Sequence, residues 1–244
     1  MKTVIIIIPV YREYLTKEEF LNVRNNIKRL SLYEICFVCP QSLNMGFYKK
    51  EFPWIKCVKF PDTFFKGIKG YNRLMLSKET YKRFEKYDFL CICQADVLIL
   101  KEGRCLDPFL NMEYDYIGAP WFPAQYITLL PDIMKIQKFI NLFFKKKYVY
   151  VGNGGFSLRR TAKTYWLLDK WRLQVMLWPH YEDYFFAFMG RYKEPLYRIA
   201  PVEIAQNFSV ETGSRELIRD KNVDPVGIHG YRKYYPEIVC KRFM

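Results

Sequence analysis

The segment Thr3-Val4-Ile5-Ile6-Ile7-Ile8-Pro9-Val10 is apolar without interruption, and nearly all of its residues are β-branched. A strand with one wet face alternates apolar and polar residues, whereas a run without alternation suits a strand covered on both faces, as at the centre of a parallel sheet. Working outward, Thr16 and Glu19 have capping-box spacing, and Phe20, Val23, Ile27 and Leu30 follow as an apolar stripe at helical spacing. Short strands are predicted near Glu34–Cys39 and Ile55–Phe60, then a helical stretch over Tyr71–Phe84 and another apolar strand over Phe89–Cys93. Strands alternating with helices define an α/β fold with a mainly parallel central sheet and helices on both faces.

The second half is less regular. Strands are predicted over Tyr114–Ala119 and Tyr148–Val151, a helix over Thr161–Trp171, a helical stretch opened by Glu182 and Asp183, and a loop over Pro225–Tyr231. No break in composition marks a boundary, so residues 1–244 read as one domain. Half of the 244 residues are hydrophobic, which is ample for a core and excludes disordered and fibrous classes. The apolar run at the N-terminus is too short for a membrane span or a signal peptide, so the chain is expected inside the cell.

Seven cysteines include one CxxC pair, Cys36 and Cys39, inside a predicted strand. Residues three apart in a strand point to opposite faces and cannot clamp one metal, so buried, reduced thiols are expected. The net charge of +14 calls for an anionic partner: a nucleotide, a phospholipid surface, a nucleic acid or an acidic glycan. No acidic residue occurs between Met134 and Leu168, and the apolar positions within 133–147 could form one helical face. That face rests either on an anionic membrane or on the core.

In sheets of this kind, ligands bind beyond the carboxyl ends of the strands. The residues there are Pro9, Val10, Tyr11 and Arg12 after the first strand, and Gln94, Ala95 and Asp96 after the fourth. Asp96 ends an apolar stretch, and a carboxylate at a strand end can hold a divalent cation bridging two phosphates, though surface turns also carry lone aspartates. Glu182 and Asp183 would project about 100° apart on a helix, either as a general base with its support or as partners of the helix dipole. His229, between Gly227 and Gly230, suits a metal or a phosphate, and a plain surface histidine equally. Gly152-Asn153-Gly154-Gly155 matches neither the dinucleotide fingerprint nor the P-loop; it reads as a tight turn or as a loop lining a polar site.

Taken in order, YNRLMLS from Tyr71, the stretch from Tyr87 to Asp96, YDYIGAPW from Tyr114, VGNGGFSLR from Val151, Glu182-Asp183, FSVE from Phe208 and the segment Pro225–His229 resemble a family of uncharacterised glycosyltransferase-like proteins. That family has a GT-A type fold and is associated with surface-polysaccharide synthesis. The resemblance implies a nucleotide-sugar donor held by Pro9, Val10, Tyr11, Arg12, Asn72, Gln94, Ala95 and Asp96. It implies Mn²⁺ or Mg²⁺ on Asp96 and His229, with Gln94 standing where many members of the wider fold class have a first Asp. It further implies Asp183 as base with Glu182 in support, and an acceptor pocket around Trp121, Gly152, Asn153, Gly154 and Gly155.

The expectation is therefore a cytoplasmic, inverting transferase, with donor half 1–100 and acceptor half 101–244, that moves a sugar to a glycan or lipid-linked acceptor and touches the inner face of a membrane through 133–147. A catalytically inactive relative stays open because of Gln94. A nucleic-acid partner is not expected, because most of the aromatic residues lie within apolar runs rather than interleaved with Lys and Arg.

Overall fold

The apolar run that opens the chain forms β1 (Val4–Pro9), buried along its whole length. In the computed structural model, which describes residues 2–127, 147–211 and 223–234, it is followed by α1 (Lys17–Arg29), β2 (Glu34–Pro40), α2 (Gly46–Glu51), β3 (Lys56–Phe60), α3 (Gly67–Met75), α4 (Lys78–Lys82) and β4 (Phe89–Cys93). Then come β5 (Val97–Ile99), α5 (Asp107–Leu110), β6 (Tyr116–Ile127), β7 (Lys147–Arg160), α6 (Thr161–Lys170), α7 (Arg172–Met176) and α8 (Glu182–Phe188). The described chain closes with α9 (Val202–Phe208), β8 (Ser209–Val210), β9 (Gly227–His229) and α10 (Tyr231–Tyr234). The basic stretch 133–147 lies, but for Lys147, outside the described residues. Among the described residues, no helix is long and apolar enough to cross a membrane.

The main sheet has the order β3-β2-β1-β4-β7-β6. Strands β3, β2, β1 and β4 run parallel, and β7 and β6 join antiparallel on one edge. Alternation within β1 sends Val4, Ile6 and Ile8 into one core layer, beneath Val23, Ile27 and Leu30 of α1. Ile5 and Ile7 enter the other layer, against residues of α3, α4, α6 and α8. Each fully buried side chain of this kind contributes roughly 1.5–3 kcal/mol. Cys39 lies in the first layer and Cys36 in the second, on opposite faces of β2, and the six described cysteines are free.

Three local expectations are corrected. The helix read over Tyr71–Phe84 is two helices, because the Thr80 hydroxyl donates to Leu74 O (2.6 Å) and the Tyr81 hydroxyl to Met75 O (2.9 Å), satisfying carbonyls at the end of α3. Gly152 to Gly155 is not a turn or loop but the middle of β7, where pairing with β4 and β6 overrides the low strand preference of glycine. The Pro225–Tyr231 loop contains β9, which pairs with β5 in a second sheet of order β5-β9-β8.

Strand order reverses between β1 and β4, so their carboxyl ends open a crevice at a topological switch point. Two asparagines one turn apart on α1 fix the segment that leaves β4. Asn22 donates to Ala95 O (2.7 Å) and Val97 O (2.6 Å), while Asn26 donates to Val97 O (2.6 Å) and accepts from Ile99 N (3.0 Å). Asn26→Leu leaves the Ile99 amide buried without a partner. The expected loss is about 1–3 kcal/mol of unfolding free energy, measured by denaturant titration.

Candidate active site

Pairing in the second sheet builds the first half of the site. Val97 lies opposite His229, and Gly230, in the left-handed region at φ 59°, donates its amide to Asp96 O (3.1 Å). Residues 132 and 134 apart in sequence are thus brought side by side. His229 Nε2 lies 3.1 Å from Gln94 Oε1 and 3.4 Å from Asp96 Oδ1, and Nδ1 lies 3.1 Å from Glu211 Oε1. Burial alone would push the imidazole pKa down, but the two carboxylates outweigh it and raise it to about 10. Desolvation raises Asp96 less than the histidine lowers it, so its carboxyl sits below the usual range.

The second half lies on the other face of β7. Glu182 and Asp183 open α8, and the Glu182 amide donates to Asn72 Oδ1 (3.0 Å). Glu182 is not a free carboxylate: Arg159, fully buried, reaches both of its oxygens at 3.0 and 2.9 Å. Asp183 Oδ1 accepts from the amide of Tyr184 (2.8 Å), and burial, followed by the charge of Glu182, pushes the Asp183 carboxyl up to about 8. Two adjacent acids thus stand in opposite conditions, one neutralised by an arginine and one left to hold a proton near neutrality.

The glycines of β7 make this packing fit. A Cβ on Gly154 would lie 2.2 Å from Glu182 Oε1, one on Gly155 2.2 Å from His229 Nε2, and one on Gly152 2.5 Å from the Trp121 ring. Gly152 and Gly154 face α8, while Asn153 and Gly155 face β9, where the Asn153 amide donates to Glu211 and its Oδ1 accepts from Gly155 N (3.1 Å). Trp121 is buried and stacks on Tyr184 with ring centres 4.9 Å apart.

A cavity of about 550 Å³ occupies the crevice and is lined by Pro9, Val10, Tyr11, Arg12, Gln94, Ala95 and Asp96, together with Tyr48 and Tyr71. Arg12 pairs at 2.6 Å with Glu19, which lines the same cavity. Asn72 faces a different cavity, of about 830 Å³, on the far side of α3. Among the described residues, no group of three His, Cys, Asp or Glu side chains could hold a metal. The donor set that does converge is Asp96, His229 and the Gln94 amide oxygen, and its 3.1 and 3.4 Å separations match those of neighbouring ligands, since bonds of ~2.1 Å at a right angle put ligand atoms ~3 Å apart. Glu211 on the opposite ring nitrogen would orient the histidine, as carboxylates commonly do for metal-bound imidazoles. These residues fit a divalent cation, whose shell other oxygen ligands would complete.

The residue-by-residue reading missed Arg159 and Glu211, although each lies inside a quoted segment. The available signal for Arg159 was a charge that alternation places on the same strand face as Ser157, at the end of a strand, where burial would demand a partner.

An α/β sheet of this order, with its crevice at the β1/β4 switch point, is the GT-A type fold. The chain belongs to the family described as Protein of unknown function (DUF5672), whose model matches residues 54–229. Among curated proteins, none matches by sequence. Among solved structures, the chain is similar to mouse xyloside xylosyltransferase 1 in its apo form, with a TM-score of 0.55 and 9% identity over 94% of this chain and 97% of that one. It is also similar to galactosyltransferase LgtC in complex with donor and acceptor sugar analogues (TM-score 0.47, 15% identity, 92% of this chain and 86% of that one). A further likeness is to apo glycosyltransferase GlyE of Streptococcus pneumoniae TIGR4 (0.49, 8%, 94% and 54%).

Gly155→Ala drives a methyl group into the His229 ring. The expected result is a loss of about 1–3 kcal/mol in stability, seen as a lowered Tm, together with weaker Mn²⁺ binding by calorimetry.

Proposed function

We propose that this chain is a glycosyltransferase that moves a sugar from a nucleotide-sugar donor to a glycan or lipid-linked acceptor in surface-polysaccharide synthesis, on the cytoplasmic side of a membrane. The observation that carries the reading is the state of Asp183: a base for an acceptor hydroxyl needs a pKa near working pH, and burial, followed by the charge of Glu182, pushes the Asp183 carboxyl up to about 8. The donor nucleotide lies in the crevice cavity, over Pro9 to Arg12 and Gln94 to Asp96. Residues 1–100 supply this donor half, and residues 101–244 supply most of the acceptor half, within one functional unit.

Asp183 takes the acceptor proton as the hydroxyl oxygen bonds to the anomeric carbon and the bond to the diphosphate oxygen breaks. Glu182, pinned by Arg159, positions the start of α8 and holds Asp183 in an electronegative surrounding that favours proton uptake. Asp96 and His229, with Gln94 Oε1, hold a divalent cation, which when bound neutralises charge on the departing diphosphate. Trp121, Asn153 and the β7 glycines support both groups from beneath. Gln94, in place of a first acid, also favours a second reading, a nucleotide-sugar-binding relative without turnover.

Asp183→Asn is expected to lower kcat by about 10²- to 10⁴-fold while leaving the thermal shift produced by the nucleotide sugar with Mn²⁺ unchanged. Transfer by the variant at the wild-type rate removes Asp183 from the base role, and wild-type binding with no transfer to any acceptor favours the second reading.

The base must be ionised, so activity should follow deprotonation of Asp183. Since its carboxyl sits at about 8, kcat/KM is expected to climb roughly tenfold per pH unit below that value and to level off above it. A flat profile across this range contradicts the assignment.

A further inference from the structure

Helix α3 separates two cavities. Ile68 and Tyr71, three residues apart, line the crevice cavity, whereas Lys69, Asn72, Arg73 and Leu76 line the larger cavity of about 830 Å³ on the other side. This is the helical repeat expressed as a partition, since positions i, i+3, i+4 and i+7 share one face. The second cavity is closed by α7, by the start of α8 and by the end of β6.

Its composition is selective. Trp178, Tyr181 and Tyr184 give it aromatic walls. Tyr181 is half exposed and stacks on Tyr184, which stacks in turn on buried Trp121. The platform is therefore rigid beneath and open above. The Trp178 ring is fixed by donation of its indole N–H to Tyr181 O (2.9 Å) and by edge contact with Phe185 at 5.4 Å. Aromatic faces carry negative charge density and attract the C–H-bearing faces of pyranose rings. Lys69 and Arg73 lie on the opposite wall, both exposed, and no lining residue is acidic.

The cavity also lies beside the chemistry. Asn72 reaches from its wall to the Glu182 amide, and Tyr181 and Tyr184 of its lining flank Glu182-Asp183 in sequence. We infer that this second cavity is the acceptor site and that it takes a carbohydrate bearing a negatively charged group, with sugar rings against Tyr181 and Trp178 and the anion toward Lys69 and Arg73. The inference rests on the transferase reading for the word acceptor, but not for the ligand class. Net positive charge on the molecule would draw such a ligand in.

The test is calorimetric titration of the full chain with trigalacturonate, maltotriose and inorganic phosphate, alongside the thermal shift produced by a nucleoside diphosphate with Mn²⁺. Trigalacturonate is expected to bind at least tenfold more tightly than either of the others. Tyr181→Ala should weaken it about tenfold and Lys69→Glu about fivefold, and both positions are exposed enough to leave the fold intact. The charged-sugar assignment is overturned if maltotriose binds equally well. Phosphate binding as tightly as the sugar overturns the carbohydrate assignment, and binding that neither substitution changes overturns the location. No saccharide binding, with the nucleotide shift intact, sinks this inference and leaves the transferase reading standing; saccharide binding without any nucleotide shift does the reverse.

Discussion

Burying an arginine and a glutamate together is costly, and the site depends on how that cost is met. Arg159 and Glu182 have side chains almost wholly removed from water, and loss of hydration at each would exceed their mutual attraction without further partners. The partners are present. Arg159 donates to Tyr81 Oη (2.8 Å) and Ser157 Oγ (3.2 Å), and its guanidinium lies 4.8 Å from the Phe186 ring centre and 5.1 Å from that of Tyr116. Tyr81 passes the connection to Met75 O, and Glu182 N returns it to Asn72. One ion pair thus joins β7 and α8 to both helices α3 and α4. The helix that divides the two cavities is tied at Asn72 and Met75 to the same charge.

A strand that passes between two charged clusters cannot carry bulk where they approach. Gly154 gives way to Glu182 and Gly155 to His229, on opposite faces of adjacent residues. Such a strand would be weak alone, since glycine adds no side-chain packing and loses more backbone entropy than other residues. It holds because β4 and β6 flank it and because buried Phe156, Leu158 and Arg159 anchor the continuation. The stability of the sheet is used to keep an otherwise unfavourable sequence extended.

This explains which parts of the protein could be read directly. Val4 to Ile8 announce a strand buried on both faces because burial on both sides removes alternation, and Thr16 with Glu19 announces the start of α1 because a capping box is local, here with Glu19 N on Thr16 Oγ1 at 3.2 Å and Thr16 N on Glu19 Oε2 at 2.9 Å. The glycine strand was illegible for the opposite reason. Its conformation is dictated by β4, by Glu182 and by His229, none of them local. The contrast within Glu182-Asp183 was legible only as a pair of acids, since the arginine that pairs with Glu182 lies 23 positions before it, on strand β7.

That separation is where fold becomes chemistry. If the guanidinium were hydrogen-bonded to Asp183 instead, its charge would oppose the rise that burial and Glu182 produce there. Because the guanidinium is directed to Glu182 by Ser157, Tyr81 and the rings of Phe186 and Tyr116, it cannot turn to Asp183 without abandoning those contacts. Glu182 then acts on its neighbour as a fixed negative charge, and burial adds to it. A low-dielectric interior strengthens both effects, so Asp183 has a higher proton affinity than an aspartate in water. The charge of Arg159 still lowers the Asp183 carboxyl somewhat, but its hydrogen bond goes to Glu182, and burial together with the Glu182 charge outweighs it.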